Sequence, residues 1–307
     1  MLWRRLWLYA GLIFVTFTWG INTVAVKHAV ASFDPLAFTG LRFIAMTPLA
    51  FALAKINGER VVVRLKDLPL FIACGACGYG VYQYFWILGL AHTTAFASSL
   101  LAALSPVITL AIVAVSARER VRSGRWAGAA IALLGVAIFE GAFAGRATFR
   151  LGDGLTLISA GIFALFNVFS AKLLDRYTPL SLVAISMTIG TLIILPGAAV
   201  TMLRVNYGTL PPLDWAIWSY AVVFPIVLTY PIWSYAISRL GAGRTSLFQF
   251  AVPVITGFLS VPLLHNRFEP HQIIGAAVCI AGMAISQLLG VYSLAQIWTQ
   301  RTLPLKR

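Results

Sequence analysis

The sequence predicts an all-α integral membrane protein, with ten transmembrane helices arranged as two inverted five-helix repeats around a central cavity. Three observations carry this. First, 60% of the 307 residues are hydrophobic and only 10% are charged, where a soluble domain carries about 25% charged residues. So few polar groups cannot cover a water-facing surface. Second, apolar runs near the roughly 20 residues that span a bilayer recur throughout. Backbone groups in lipid must pair internally, and long apolar runs do so as helices; a β-barrel needs short alternating segments instead. Third, the chain repeats itself. Pro106-Val-Ile-Thr109 recurs as Pro253-Val-Ile-Thr256, and in the same register of 147 residues Trp86 meets Trp233 and Ser99 meets Ser246. Gly128-Ala-Ala130 likewise meets Gly275-Ala-Ala277, and Gly135 meets Gly282. Such a register marks a duplicated unit.

In chain order the spans are roughly 6–26, 36–55, 68–90, 94–116, 125–143, 153–173, 179–202, 213–238, 243–264 and 270–291. Arg4 and Arg5 before the first apolar run resemble a signal peptide. However, Asn22 and Lys27 have images in Asn167 and Lys172, 145 residues on, so span 1 has a counterpart in span 6 and belongs to the fold. The repeats are assigned to residues 1–147 and 148–292, with 293–307 as a basic cytoplasmic tail carrying Trp298 and Leu303.

With the N-terminus in the cytoplasm, 17 of the 23 Lys and Arg fall on the cytoplasmic side and 5 on the other, with Arg42 inside span 2. This bias places both termini in the cytoplasm of a bacterial-type inner membrane. It also accounts for the net charge of +14 without nucleic acid. An odd number of spans per repeat makes the second copy enter the membrane upside down. Inverted repeats meeting near the midplane are a transporter device.

Span 3 carries Tyr79, Tyr82, Gln83 and Trp86 at i, i+3, i+4 and i+7, one helix face. An amide facing lipid is costly, so this face is expected to look inward. Span 8 offers Tyr230 and Trp233 at the images of Gln83 and Trp86; span 6 offers Phe163, Phe166, Asn167 and Ser170; span 1 offers Trp19, Asn22 and Thr23. Aromatic rings beside amides and hydroxyls suit an apolar pocket that orients a small ligand, though each Asn could equally bond between helices. Pro106 and Pro253 fall within spans 4 and 9, where proline kinks a helix. They are either static kinks that shape a cavity or paired hinges. Ser98, Ser99, Thr245, Ser246 and Gln249 share those two helices. Arg42 either meets a substrate carboxylate or snorkels to the near interface.

Other chemistry is not signalled. Cys74-Gly-Ala-Cys77 lies in an apolar run without histidines and reads as packed small residues, with no metal expected. No P-loop, HExxH or GxSxG occurs, so no enzyme and no cofactor is expected. Asp153 and Asp214 stand at the starts of their spans, and Glu140 lies near the end of its own. No acid is placed at mid-membrane, which favours uniport over proton coupling.

Trp19-Gly-Ile-Asn22, Arg42-Phe43, Ala95-Phe-Ala-Ser-Ser-Leu-Leu-Ala-Ala-Leu-Ser-Pro-Val107, Arg118-Glu-Arg120 and Gly128-Ala-Ala-Ile-Ala-Leu-Leu-Gly-Val136 carry a resemblance to the drug/metabolite transporter superfamily, in its EamA-type branch. It covers nearly the whole chain. Glu119 matches an acid frequent in the family after span 4; its image here is Asn266, which puts a paired role in doubt. The aromatic faces most resemble YddG-type exporters of aromatic and other amino acids. The resemblance implies an inner-membrane, monomeric basket with spans 5 and 10 packed outside, exporting small metabolites through a central cavity. Phosphorylated substrates are disfavoured, because Arg42 is the only central cation. The expected activity is amino-acid export by alternating access, with export of quaternary-ammonium compounds or drugs as the alternative.

Overall fold

The computed structural model describes residues 2–116, 123–139 and 149–291. The regular structure among these residues is helical, with no strand among them. In order the helices are α1 Leu2–Ala29, α2 Pro35–Ile56, α3 Leu68–Gly75, α4 Val81–His92, α5 Ala95–Ala102, α6 Ser105–Ser116 and α7 Ser123–Phe139, then α8 Leu151–Leu173, α9 Pro179–Arg204, α10 Pro212–Val222, α11 Thr229–Leu240, α12 Ala242–Thr245, α13 Ala251–Leu264 and α14 Pro270–Val291. Six apolar stretches are long enough to cross a membrane: Leu6–Ala29, Pro35–Ile56, Leu65–His92, Leu151–Leu173, Pro179–Arg204 and Pro212–Leu240. Four shorter ones, Ala95–Thr109, Trp126–Phe139, Phe248–Leu264 and Pro270–Ser286, match the remaining expected spans. Arg118, Glu119, Arg120, Glu140 and the tail with Trp298 and Leu303 lie outside the described residues.

Several spans are not the uninterrupted helices expected from periodicity. Span 3 passes through a π-helical segment, Ala76–Gly80, between α3 and α4. Span 8 does the same at Val223–Leu228, between α10 and α11. The two segments start 147 residues apart, in the register of the sequence repeat. Span 4 breaks between α5 and α6, just before Pro106. Span 9 runs through a 3₁₀ segment, Ser246–Phe250, that ends just before α13 and Pro253. Pro106 and Pro253 fall in the first turns of α6 and α13, where a missing N–H costs no helical bond.

The starts of the helices follow local chemistry. The Asp34 carboxylate accepts from the Leu36 and Ala37 amides at 3.0 and 2.8 Å, with Pro35 opening α2. Thr178 and Pro179 open α9 in the same way. Such caps satisfy amides that a helix start leaves without partners. Asp67, before α3, accepts from Arg176 and from the Tyr177 hydroxyl at 2.9 Å. Asp214, 147 residues later at the start of α10, accepts from Ser32.

The chain divides into two compact units. One comprises Met1–Ile112 with Phe149–Arg267, and the other Val113–Thr148 with Phe268–Arg307. In the first unit α2 and α9 run antiparallel. The Thr47 and Thr191 hydroxyls meet at 2.8 Å, with Phe43 O and Met187 O of their own helices as alternative acceptors at 3.0 and 2.9 Å. In the second unit α7 and α14 cross at glycines. A Cβ on Gly135 would lie 2.2 Å from the Cys279 nitrogen, and one on Gly282 would lie 2.3 Å from the Ala132 nitrogen. Gly128 similarly meets Ser286, and Gly275 meets Phe139. Each of these four glycine contacts is answered by its image 147 residues away. Small residues let membrane helices approach this closely.

Candidate functional site

The site is built where the irregular helices converge. In α1, Trp19 points its indole at the second π-helical segment: Nε1 donates to Pro225 O at 2.9 Å and lies 3.0 Å from the Thr229 hydroxyl. A π-turn leaves carbonyls without regular partners, and Trp19 supplies one. Its ring also packs on Trp233, Tyr230 and Phe163, at centroid distances of 4.9, 5.8 and 6.1 Å. From α8, Phe163 reaches Tyr82 of α4 at 4.9 Å. Offset and edge-on arrangements of this kind are the favoured aromatic geometries.

These rings wall a cavity. Trp19 and Asn22 of α1, Arg42 of α2, and Tyr82, Gln83 and Trp86 of α4 line it. Ser99 of α5, Phe163 of α8, Tyr230 of α11 and Gln249 complete the expected residues found there. Its volume, taken as the space open to the centre of a water molecule, is about 80 Å³. One water needs roughly 10–15 Å³ by that measure, so the cavity suits a small metabolite. A larger cleft of about 460 Å³ is lined by Lys27, Arg150 and Asp214. There, however, the Lys27 ammonium already donates to Leu90 O and Ala91 O at 2.9 and 3.0 Å, and Asp214 is held by Ser32.

Five expected residues are not in the lining. Tyr79 lies in the π-helical segment, where the wider turn breaks the 3.6-residue period. It is fully buried and packs on Tyr230 and Phe166 at 5.0 and 5.7 Å. Phe166 sits behind Phe163 at 5.3 Å. Trp233 Nε1 donates to Asn167 Oδ1 at 3.2 Å, and both residues are wholly buried. Ser246 is buried in the 3₁₀ segment. Sequence reasoning passed over Ala102, Ala103, Ala160 and Ile226, which also line the cavity. Periodicity gave them no signal, because the alanines contribute by making room.

Arg42 does not snorkel. It is 1% exposed, and its Nη2 donates to Gln83 Oε1 at 2.9 Å. The guanidinium stands 5.6 and 5.7 Å from the Phe38 and Phe43 ring centres. Its Nε is buried with no acceptor, as the Asn22 Oδ1 is buried with no donor. Among the described residues no carboxylate pairs with Arg42, and none lines the cavity. A buried charge is normally paired, and among the described residues this cation has no counter-charge. No group of His, Cys, Asp or Glu among the described residues is disposed to hold a metal.

The chain matches the model of the EamA-like transporter family over residues 6–140 and 150–288. An uncharacterized transporter of Archaeoglobus fulgidus is 29% identical over 88% of this chain and 95% of its own. A probable terminal-alkyne amino-acid exporter of Streptantibioticus cattleyicolor is 28% identical over 90% and 91%. A probable amino-acid metabolite efflux pump of Escherichia coli is 26% identical over 89% and 92%. A solved crystal structure, 20% identical, covers 92% of this chain and 98% of its own with a TM-score of 0.65, a likeness of fold. Apolar helices long enough to cross a membrane agree with those matches: the chain is a multi-pass membrane protein and belongs to the EamA-like transporter family.

Proposed function

We propose that this protein exports amino acids, aromatic and other neutral ones, across a bacterial-type inner membrane by alternating access through the aromatic cavity. The observation that carries the reading is Arg42: a buried guanidinium beside a cavity that holds no carboxylate among its lining residues. A substrate carboxylate supplies the missing charge in the geometry guanidinium binds best. The Asn22 oxygen accepts from the ammonium group, and the rings of Trp19, Tyr82 and Phe163 take the side chain. Two relatives are named as exporter or efflux pump of amino acids or their metabolites, which agrees.

The architecture proposed is ten membrane-crossing helices in two inverted repeats, working as a monomer with both termini cytoplasmic. The reciprocal contacts of α7 with α14 support it, as do the paired π-helical segments. Pro106 and Pro253 then act as matched hinges at the breaks of spans 4 and 9. The absence of an acid from the cavity lining supports movement down the substrate gradient, without proton coupling. It also weighs against quaternary-ammonium export, since a buried cation repels a cationic substrate. The test is flux in proteoliposomes of the purified protein, comparing labelled tryptophan, threonine and methionine with a quaternary cation, with and without a proton gradient. Amino-acid flux indifferent to the gradient is expected. Proton-driven cation flux without amino-acid movement overturns the reading.

A further inference from the structure

Two amide–indole pairs occupy equivalent places in the two halves of the chain. Asn22 and Asn167 stand 145 residues apart, and Trp86 and Trp233 stand 147 apart. In the second pair the bond is made: Trp233 Nε1 donates to Asn167 Oδ1 at 3.2 Å, both side chains shut away from the cavity. In the first pair it is not made. Asn22 and Trp86 both line the cavity, and the Asn22 Oδ1 is buried without a donor. The same chemistry therefore rests in two states within one molecule, one bonded to itself and one unbonded beside the cavity. The closed pair is also incomplete, because Asn167 Nδ2 has no acceptor.

We propose that the amide–indole pair is a two-position subsite for the head group of a zwitterion. In the present state Asn22 offers its oxygen to the ammonium and Trp86 its N–H to the carboxylate, alongside Arg42. Asn167 and Trp233 meanwhile satisfy each other. In the opposite-facing state the roles exchange: Asn22 and Trp86 close on one another, and Asn167 and Trp233 open to the cavity. Each state makes one such bond, so the pair biases neither state strongly and a bound substrate can tip the balance. The ligand class rests on the amino-acid reading above. The exchange of bonds does not.

The test separates the two parts. Nitroxide labels are placed at Lys55 and Ser238, exposed positions near the C-terminal ends of α2 and α11. Cys74, Cys77 and Cys279 are replaced by alanine in every sample. Distances are measured in lipid nanodiscs without substrate. Trp233→Phe and Asn167→Ala, which remove the donor and the acceptor of one bond, are each expected to shift the two-state ratio by about three- to tenfold away from the present state. Trp86→Phe is expected to shift it the other way, and Trp86→Phe with Trp233→Phe to return it to within about twofold of the parent. An unchanged ratio in Trp233→Phe and Asn167→Ala, or a double variant matching Trp233→Phe alone, overturns the exchange. A binding measurement with labelled methionine is expected to show Trp86→Phe and Asn22→Ala weakened by about three- to tenfold. If the parent protein binds no amino acid, the zwitterion assignment falls, and the label distances alone decide the exchange.

Discussion

Arg42 sets the chemistry of the cavity. Placing an arginine at the centre of a membrane helix costs about 2.5–3.5 kcal/mol, and here one Gln83 bond and two phenyl rings are its described partners. On the proposed function, such a residue weakens the empty fold and strengthens the loaded one. Arg42→Met is therefore expected to leave the melting temperature in detergent unchanged or raised, because apolar replacement of a buried charge is often neutral or stabilising. The same variant is expected to lower amino-acid affinity by about 10–150-fold, the worth of a charge-assisted hydrogen bond of roughly 1.5–3 kcal/mol. A variant that melts early but transports normally would make Arg42 a structural residue. Tyr82→Ala addresses the wall rather than the anchor. Its ring packs on Phe163 at 4.9 Å, so flux is expected to fall while the amount of protein in the membrane holds. Wild-type transport would remove Tyr82 from the site.

At the level of elements, the irregular turns matter more than the regular ones. The π-helical segment Ala76–Gly80 places Gly78 directly under the Phe166 ring, where an added Cβ would come within 2.3 Å. Phe166 in turn backs Phe163 at the cavity wall. Gly78→Ala is expected to cost about 1–3 kcal/mol through overpacking and to reduce flux by displacing Phe163. Thermal unfolding and proteoliposome uptake check the two effects separately. Gly161→Ala, with open space around its missing Cβ, is the control that should change neither. Near the breaks before Pro106 and Pro253, Ala102, Ala103, Gln249 and Val252 reach the cavity, so spans 4 and 9 each contribute lining where the regular α-helix is interrupted.

For the whole molecule, the reciprocal contacts make a symmetrical prediction. Gly135 meets the backbone at Cys279, and Gly282 meets it at Ala132, the same contact seen from either end. Gly135→Val and Gly282→Val are expected to lower the melting temperature by matching amounts, because each forces the same two helices apart. Strongly unequal shifts would mean that α7 and α14 are not related by a two-fold.

The membrane, the helical class and the register of the repeat were legible in the residues because hydropathy and periodicity are local properties. So was the inward face of Tyr82, Gln83 and Trp86, since a regular turn of α4 carries all three. Tyr79 was misplaced for the complementary reason: a π-turn alters the residues per turn, and periodicity cannot foresee where one forms. The direction of Arg42 was equally beyond local reading, because snorkelling and burial differ only in what surrounds the side chain. The sharpest case is the pair of images. Asn22 with Trp86 and Asn167 with Trp233 are alike in sequence, so the sequence by itself determined that two such pairs exist. Which pair is closed and which faces the cavity was decided only by tertiary structure, because a bond between residues more than sixty positions apart depends on how whole helices are set against one another.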